Sequence, residues 1–226
     1  MSLKSKIMGR FAVALGLAAA LLFLPAGTLK FWEAWVFLAI VFIPMSIFTG
    51  YFLKHDPQLV ERRLQFREKV KEQKVVMKLA NLIFLLGFLV TGFDHRFGWT
   101  LGLGWTLPLW LKIAAQGLVL GGYLLSMWVM DVNRYASRTI QVEPGQKVIS
   151  DGPYRWIRHP MYFSGVIMTL PMPVALGSYV ALPFFALFVP ILVARLLNEE
   201  KVLRQELPGY DAYCQKTRFR LLPYVW

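Results

Sequence analysis

Long apolar runs separated by short polar segments dominate the chain. Four such runs occupy about 7–24, 31–53, 75–93 and 108–130. Each has the roughly 20 residues that a helix needs to cross the hydrocarbon core of a bilayer. Only a short turn at 25–30 separates the first two runs, so we expect these to form a hairpin. The pattern therefore predicts a helical membrane protein.

Two further apolar segments, 161–179 and 180–197, are interrupted by proline. The interruptions are Pro171, Pro173, Pro183 and Pro190. Proline inside a helix removes a backbone hydrogen bond and kinks or ends the helix. The sequence predicts a broken hairpin here, which either crosses the membrane twice or re-enters from one face. The expected fold class is all-α and polytopic, with about five to six transmembrane or re-entrant helices.

The polar segments between these runs have different characters. Segment 54–74 is rich in charge and contains Asp56-Pro57, a pair that often starts a helix, so we expect an interfacial helix. Segment 131–159 is long, basic and punctuated by Gly and Pro, as functional loops often are. The tail, 198–226, is predicted to form an amphipathic helix followed by aromatic residues at the interface.

Composition supports a single membrane domain. The 226 residues are 57% hydrophobic and only 17% charged, which excludes disorder and fits a soluble globule poorly. We expect one domain over 1–226, with the N-terminal spans and interfacial helix in 1–130 and a catalytic part in 131–226. The apolar run near the N-terminus is interpreted as a retained span, because another long apolar run follows at once.

The positive charge is distributed unevenly between the two sides of the predicted bundle. The formal net charge is +12, yet every Lys and Arg except Lys30, Arg96 and Lys112 falls on one side or at its edge. This is the positive-inside pattern of membrane proteins, so we favour it over nucleic-acid binding. It predicts that both termini and the loops at 54–74 and 131–159 face the cytoplasm.

Residue types that commonly bind metals or form disulfides are sparse in this sequence. Cys214 is the only cysteine, and the three histidines, His55, His95 and His159, are scattered. Metal sites and intrachain disulfides need such residues in groups. We expect neither, and we expect any chemistry to come from an organic cofactor or from the substrate.

Two polar clusters frame the proline-broken hairpin. The first is GPYRWIRHPMY at 152–162, and the second is RLLNEE at 195–200, while the residues between, 163–194, carry no charge. If that uncharged stretch enters the membrane and returns, both clusters lie at the same face. The sequence thus predicts that they form one site.

Arg195 and Glu199 are four residues apart and share one side of their predicted helix, whereas Glu200 points about 100° away. An ionisable side chain within a span costs about 2.5 to 3.5 kcal/mol on insertion scales, so Arg195 is a functional candidate. The alternative is an arginine that snorkels to the surface and pairs with its own i+4 glutamate.

His159 precedes Pro160, which suits the first turn of a helix, so His159 is predicted to lie at a helix N-terminus. An imidazole there, flanked by Arg155 and Arg158, is suited to hold a carboxylate or phosphate. The alternative is a contact with lipid headgroups. Elsewhere, the four-residue spacing of Gly117 and Gly121 predicts close helix packing, with room for a ligand as the alternative.

The segment from about 133 to 226 resembles the isoprenylcysteine carboxyl methyltransferase family of membrane methyltransferases, to which phospholipid N-methyltransferases are related. The resemblance rests on GPYRWIRHPMY, on the RxxxEE pattern at 195–200, and on Tyr210, Tyr213 and the LLPY ending. It implies S-adenosylmethionine as cofactor, with S-adenosylhomocysteine as product, in a cytosol-facing pocket near the C-terminus.

The resemblance also implies roles for individual residues. It assigns cofactor contacts to Gln146, Lys147, Val148, Ile149, Tyr154, His159, Pro160, Met161, Tyr162, Glu199 and Glu200. Arg195 corresponds to the arginine on the substrate side, and Arg195 and Glu199 are the expected catalytic residues. The histidine that the family usually carries upstream of GPY is replaced here by Gln146, which leaves the acceptor open.

The function implied is methyl transfer to an amphipathic, membrane-embedded acceptor, with a prenylcysteine-type carboxylate that becomes a methyl ester as the first expectation. Partners would be the bilayer and a lipidic or prenylated acceptor. Alternatives are methylation of a phospholipid amine or a thiol. Two other classes also remain, an NADPH-dependent membrane reductase of the sterol type and a non-catalytic lipid-binding membrane protein.

Overall fold

The computed structural model describes residues 3–64, 71–135, 142 and 145–226, and within these it is helical with no strand. The helices are α1 (Leu3–Ala26), α2 (Trp32–His55), α3 (Pro57–Leu64), α4 (Lys71–Phe97), α5 (Trp99–Gly102), α6 (Leu109–Val132), α7 (Pro160–Thr169), α8 (Met172–Ala175), α9 (Leu182–Ala186), α10 (Phe188–Glu206) and α11 (Tyr210–Lys216), with a 3₁₀ turn at Gly152–Arg155. The predicted all-α class is confirmed.

The described chain contains five helices that are long and apolar enough to cross a membrane. They are Ser5–Ala26, Trp32–His55, Val76–Phe97, Leu109–Val132 and Leu182–Glu206. The first four match the predicted spans within a few residues. An integral membrane protein follows from them. The segment predicted to be interfacial contains helix α3, and its residues 65–70 lie outside the described residues.

The proline-broken segment runs the full length of the bundle. At one end of it, Ser126 Oγ of α6 donates a hydrogen bond to Met161 Sδ, 3.4 Å away. At the other end, Ser178 Oγ donates to Asp94 Oδ2 near the end of α4, at 2.5 Å. The helices α7 and α8 together therefore run from one end of the bundle to the other. We call the end at Met161 the site end and the end at Asp94 the far end.

The close approach of α7 to α6 depends on a glycine other than those predicted. A Cβ at Gly117 or Gly121 would meet no described atom within 4 Å, so the packing role expected of that pair is wrong. A Cβ at Gly122 would instead lie 2.7 Å from the backbone nitrogen of Met168 in α7. Because a real Cβ does not come so close, any larger residue at Gly122 would push α7 outward.

Buried polar groups close the far end. The Asp94 carboxylate accepts hydrogen bonds from Thr100 N–H at 2.7 Å, from Thr100 Oγ1 at 2.5 Å and from Ser178 Oγ at 2.5 Å. Nearby, Lys112 Nζ lies 2.7 Å from Glu33 Oε1 and joins α6 to α2. Together these contacts hold α2, α4, α6 and the end of α8 in register, so the helices arrive at the site end in a fixed arrangement.

Candidate active site

The loop that carries GPYRWIRHP is packed against the C-terminal end of α6. Gly152 has φ +55, and a Cβ there would lie 2.9 Å from Val132 Cγ2. Positive φ with no space for a side chain requires glycine at this turn. Pro153 follows as the second residue of the 3₁₀ turn and is buried, which fixes the direction of the loop toward α7.

Tyr154 joins this loop to α6 and to the tail. Its hydroxyl accepts a hydrogen bond from Asn133 Nδ2 at 2.8 Å, and its carbonyl accepts one from Tyr213 Oη at 2.8 Å. Burial raises the pKa of Tyr154, so the phenol keeps its proton. Val148, from the predicted cofactor-lining stretch, packs on the same cluster, which includes Leu207 of the turn before α11.

His159 lies at the N-terminus of α7, as predicted, with Pro160 in the first helical position. Its side chain is buried, and its Nε2 has no hydrogen-bond partner among the described residues. Burial lowers the pKa of His159 to about 4, so the ring is neutral near pH 7. A buried, neutral and unpartnered imidazole at a helix N-terminus is suited to receive a polar ligand atom.

The second polar cluster meets the first across α7 and α10. Tyr162 Oη donates a hydrogen bond to Glu199 Oε2 at 2.5 Å. Arg195, on the same side of α10, lies close enough to interact electrostatically with the Tyr162 hydroxyl and the Glu199 carboxylate. The His159 ring stands 5.9 Å from the Tyr162 ring, edge to face. The structure thus brings His159, Tyr162, Arg195 and Glu199 together.

Glu200 faces the other way and is surrounded by guanidinium groups. Glu200 Oε1 lies 3.1 Å from Arg158 Nη1, and Glu200 Oε2 accepts a hydrogen bond from Arg220 Nε at 2.6 Å. A third arginine, Arg204, approaches within 3.7 Å. Arg158 is therefore engaged by a carboxylate, while Arg155 is exposed. The sequence missed this cluster because Arg220 lies twenty positions beyond Glu200.

The other predicted residues lie along the same loop and helix. In the stretch 146–149, Lys147 is exposed and its three neighbours are partly buried. Met161 is partly buried against α6. One buried group near this cluster had no predicted role, namely Tyr210 of α11, whose hydroxyl has no partner among the described residues. Its only sequence signal was membership of the tail motif.

The described residues contain no group of three or more His, Cys, Asp or Glu side chains able to hold a metal ion. The polar groups gathered at the site end are instead donors and acceptors of ordinary hydrogen bonds. They suit an organic ligand that carries both a carboxylate and a cationic group.

Comparison with known proteins supports the resemblance stated above. Residues 112–205 match the sequence model of the isoprenylcysteine carboxyl methyltransferase (ICMT) family. A stretch of 98 residues is 31% identical to the uncharacterized protein YpbQ of Bacillus subtilis (strain 168), and it covers 42% of this chain and 57% of that protein. A stretch of 91 residues is 30% identical to the Delta(14)-sterol reductase TM7SF2 of Mus musculus, and it covers 39% of this chain and 22% of that enzyme.

The fold has a solved counterpart. It matches the structure of the eukaryotic intramembrane Ras methyltransferase ICMT with a TM-score of 0.57 and 16% sequence identity, over 95% of this chain and 75% of that one. The predicted ICMT-like, polytopic fold is confirmed. The matched stretches span little more than half of YpbQ and less than a quarter of the sterol reductase.

Proposed function

We propose that this protein is an S-adenosylmethionine-dependent methyltransferase that acts on an amphipathic acceptor held in the membrane. The proposal rests on one observation, which combines the geometry of the site with the family match. His159, Tyr162, Arg195 and Glu199 form one cluster, and all four lie within the residues that match the methyltransferase family, 112–205.

The residues at the site end fit an amino-acid headgroup such as that of the cofactor. His159 Nε2 and the Tyr210 hydroxyl are buried without partners, which costs about 1 to 3 kcal/mol for each group. A bound carboxylate would supply an acceptor to such donors. The Glu199 carboxylate would face the cationic ammonium. When bound, S-adenosylmethionine supplies an electrophilic methyl group on a positively charged sulfur.

The loop around the 3₁₀ turn provides the remaining surface of the proposed cofactor site. Gln146, Lys147, Val148 and Ile149 lead into it, and Tyr154 is locked in place by hydrogen bonds at both its hydroxyl and its carbonyl. Pro160, Met161 and Tyr162 form the first turn of α7. Glu200 was expected beside the cofactor, but its partners Arg158 and Arg220 favour a role within the protein.

Arg195 is the proposed partner of the acceptor. Its helix emerges from a stretch, 163–194, that carries no charge, so the guanidinium stands where an apolar medium meets the polar cluster. An acceptor carboxylate is already ionised near pH 7, and its reaction needs orientation and exclusion of water more than a general base. We therefore favour a prenylcysteine-type carboxylate, whose apolar tail stays among the helices and whose product is a methyl ester.

The test is transfer of label from methyl-labelled S-adenosylmethionine to a membrane extract that contains the protein. Mild alkali should release labelled methanol if the product is an ester, whereas alkali-stable label would show transfer to nitrogen or sulfur. Arg195→Lys should lower the rate by about tenfold, because a bidentate arginine contact to a carboxylate is not reproduced by lysine. The matched control is Arg218→Lys at an exposed position, which should keep the wild-type rate.

A reductase is the second candidate, because the stretch that resembles TM7SF2 is 30% identical to that Delta(14)-sterol reductase. A hydride donor such as NADPH would then bind in place of S-adenosylmethionine. Oxidation of NADPH by the purified protein in the presence of an unsaturated sterol, with no label transferred from S-adenosylmethionine, would favour this candidate.

We also propose that the site end faces the cytoplasm, as the distribution of Lys and Arg suggests. The test uses a Cys214→Ser background that carries either Leu103→Cys at the far end or Asp151→Cys at the site end, both exposed positions. In intact cells an impermeant thiol reagent should modify the first variant and spare the second. The opposite labelling would reverse the orientation.

A further inference from the structure

We propose that Glu200 is a positioning residue that ties the site loop, residues 152–159, to the tail strap, residues 217–226, and thereby holds His159 in place. Glu199 and Glu200 would then have separate tasks, one toward the ligand and one toward the protein. The consequence for cofactor affinity rests on the proposed function, whereas the link itself rests on contacts within this chain.

The side chains form a bridge through one carboxylate. Glu200 Oε1 is 3.1 Å from Arg158 Nη1 of the site loop, and Glu200 Oε2 is 2.6 Å from Arg220 Nε of the tail strap. The side chains of Glu200 and Arg158 are 4% and 6% exposed. A buried carboxylate shared by two guanidinium groups holds their segments together, because removal of it leaves a charge buried without a partner.

The backbones of the two segments are paired at the same place. Arg158 N–H donates to the Phe219 carbonyl at 2.9 Å, and His159 N–H donates to the Arg220 carbonyl at 3.0 Å. Thr217 Oγ1 adds a longer bond of 3.4 Å to the Tyr154 carbonyl. The backbone of His159 is therefore fixed by the tail strap, directly beside the Glu200 bridge.

The tail strap is itself a closed turn. The carbonyl oxygen of Trp226 accepts hydrogen bonds from the N–H groups of Arg220, Leu221 and Leu222, at 2.9, 2.9 and 3.1 Å. The Arg220 guanidinium also lies 5.4 Å from the centre of the Trp226 ring. Arg220 thus combines two roles, since it stabilises the turn and connects it to Glu200.

The position of the His159 ring depends on this arrangement. Its Nε2 has no hydrogen-bond partner among the described residues, and the ring packs edge to face against Tyr162 at 5.9 Å. Loss of the bridge should free the site loop from the tail strap and let the ring move. A ligand that relies on His159 would then bind more weakly, although Glu200 does not touch it.

The experiment is a double-mutant cycle on the binding of S-adenosylhomocysteine, measured by calorimetry on the purified full chain. Glu200→Gln should weaken binding by about tenfold in the wild-type background and by less than about twofold when combined with His159→Ala, because residues that act through one another are not additive. An equal loss in both backgrounds would overturn the proposal, since it would indicate direct contact or general damage.

A second variant and a control keep the test usable if Glu200→Gln does not fold. Arg220→Gln breaks the bridge from the partly exposed side and should show the same non-additivity with His159→Ala. Arg204→Gln is the matched control. Arg204 also approaches the Glu200 carboxylate, at 3.7 Å, but its side chain is 42% exposed and lies outside the tail strap. The affinity for S-adenosylhomocysteine should therefore stay within about twofold of wild type.

Amide hydrogen exchange provides a readout that needs no cofactor. In Arg220→Gln, peptides that contain the amides of Arg158 and His159 should exchange faster than in Arg204→Gln, because their acceptors lie in the tail strap. Unchanged exchange would contradict the bridge. If wild-type protein failed to bind S-adenosylhomocysteine while exchange responded as expected, the proposed function would fail and the bridge would stand.

Discussion

The two ends of the bundle both bury polar side chains, but they use them differently. At the far end, the Asp94 carboxylate receives three hydrogen bonds from Thr100 and Ser178. At the site end, neither the His159 Nε2 nor the Tyr210 hydroxyl has a hydrogen-bond partner among the described residues. Buried polar groups are normally paired, so these two are the candidates for contact with a ligand in the proposed function.

The two ends also differ in how the side chains with unpartnered atoms are held. The far end also contains unpartnered acceptor atoms, Glu33 Oε2 and Gln116 Oε1. Each of these side chains is nevertheless held by another of its atoms, since Glu33 Oε1 meets Lys112 and Gln116 Nε2 donates to the Glu33 and Ala175 carbonyls. The Tyr210 hydroxyl, by contrast, is the only polar group of its side chain.

The largest effect is expected at the far end. Asp94→Ala removes the acceptor of three hydrogen bonds to a charged group and should lower the free energy of unfolding by about 3 kcal/mol. The affinity of the folded fraction for S-adenosylhomocysteine should not change. Thermal unfolding and calorimetry measure the two quantities. Asp211→Ala is the control, because Asp211 pairs with Arg204 at the surface and should contribute under about 1 kcal/mol.

The next effect is expected at the site end, where two tyrosines of α11 form a matched pair. Tyr210→Phe removes an unpartnered buried hydroxyl, so it should keep or raise the unfolding temperature and weaken S-adenosylhomocysteine binding by about tenfold. Tyr213→Phe removes a hydroxyl that donates to the Tyr154 carbonyl, so it should instead lower the free energy of unfolding by about 1 kcal/mol. Lower stability with unchanged affinity in Tyr210→Phe would show that the Tyr210 hydroxyl stabilises the fold and does not contact the ligand.

The smallest effect is a pH dependence of stability at the site end. The pKa of His159 is lowered from 6.5 to about 4, so between these values the unfolded chain binds a proton that the folded chain does not. The stability contribution is present above pH 6.5 and is lost as pH falls toward 4. Between about pH 7.5 and about pH 5.5 this loss should be about 1 kcal/mol.

The check on this dependence is a comparison of variants. His159→Gln should reduce the loss in the pH profile of thermal unfolding, whereas His55→Gln, at an exposed position, should leave it unchanged. A profile that is identical in wild type and His159→Gln would mean that the ring is not buried in neutral form.

The apolar runs were sufficient to predict the spans, because membrane helices must satisfy their backbone groups within the helix and so follow hydropathy closely. The broken hairpin needed the structure. Only the positions of Met161 and Ser178 at opposite ends showed that it crosses the bundle. The glycine contact at Gly122 was missed because four-residue spacing says nothing about which side of a helix faces its neighbour.

The site was predictable in part, because the regular geometry of helices relates the positions of residues that are close in sequence. The i, i+4 spacing of Arg195 and Glu199 placed both on one side of α10, and Pro160 placed His159 at a helix start. The partners of Glu200 were not predictable, since Arg220 reaches it only after the chain has turned through α11. Long-range contacts of this kind leave no periodic signal in the sequence.

The most direct test of the central claim is a titration of the purified protein with S-adenosylhomocysteine and, separately, with NADPH. The proposed function predicts saturable binding of S-adenosylhomocysteine that weakens by about tenfold in Glu199→Gln, because a charged partner of the ligand is lost, and no binding of NADPH. Saturable binding of NADPH with none of S-adenosylhomocysteine would contradict it and would favour the reductase.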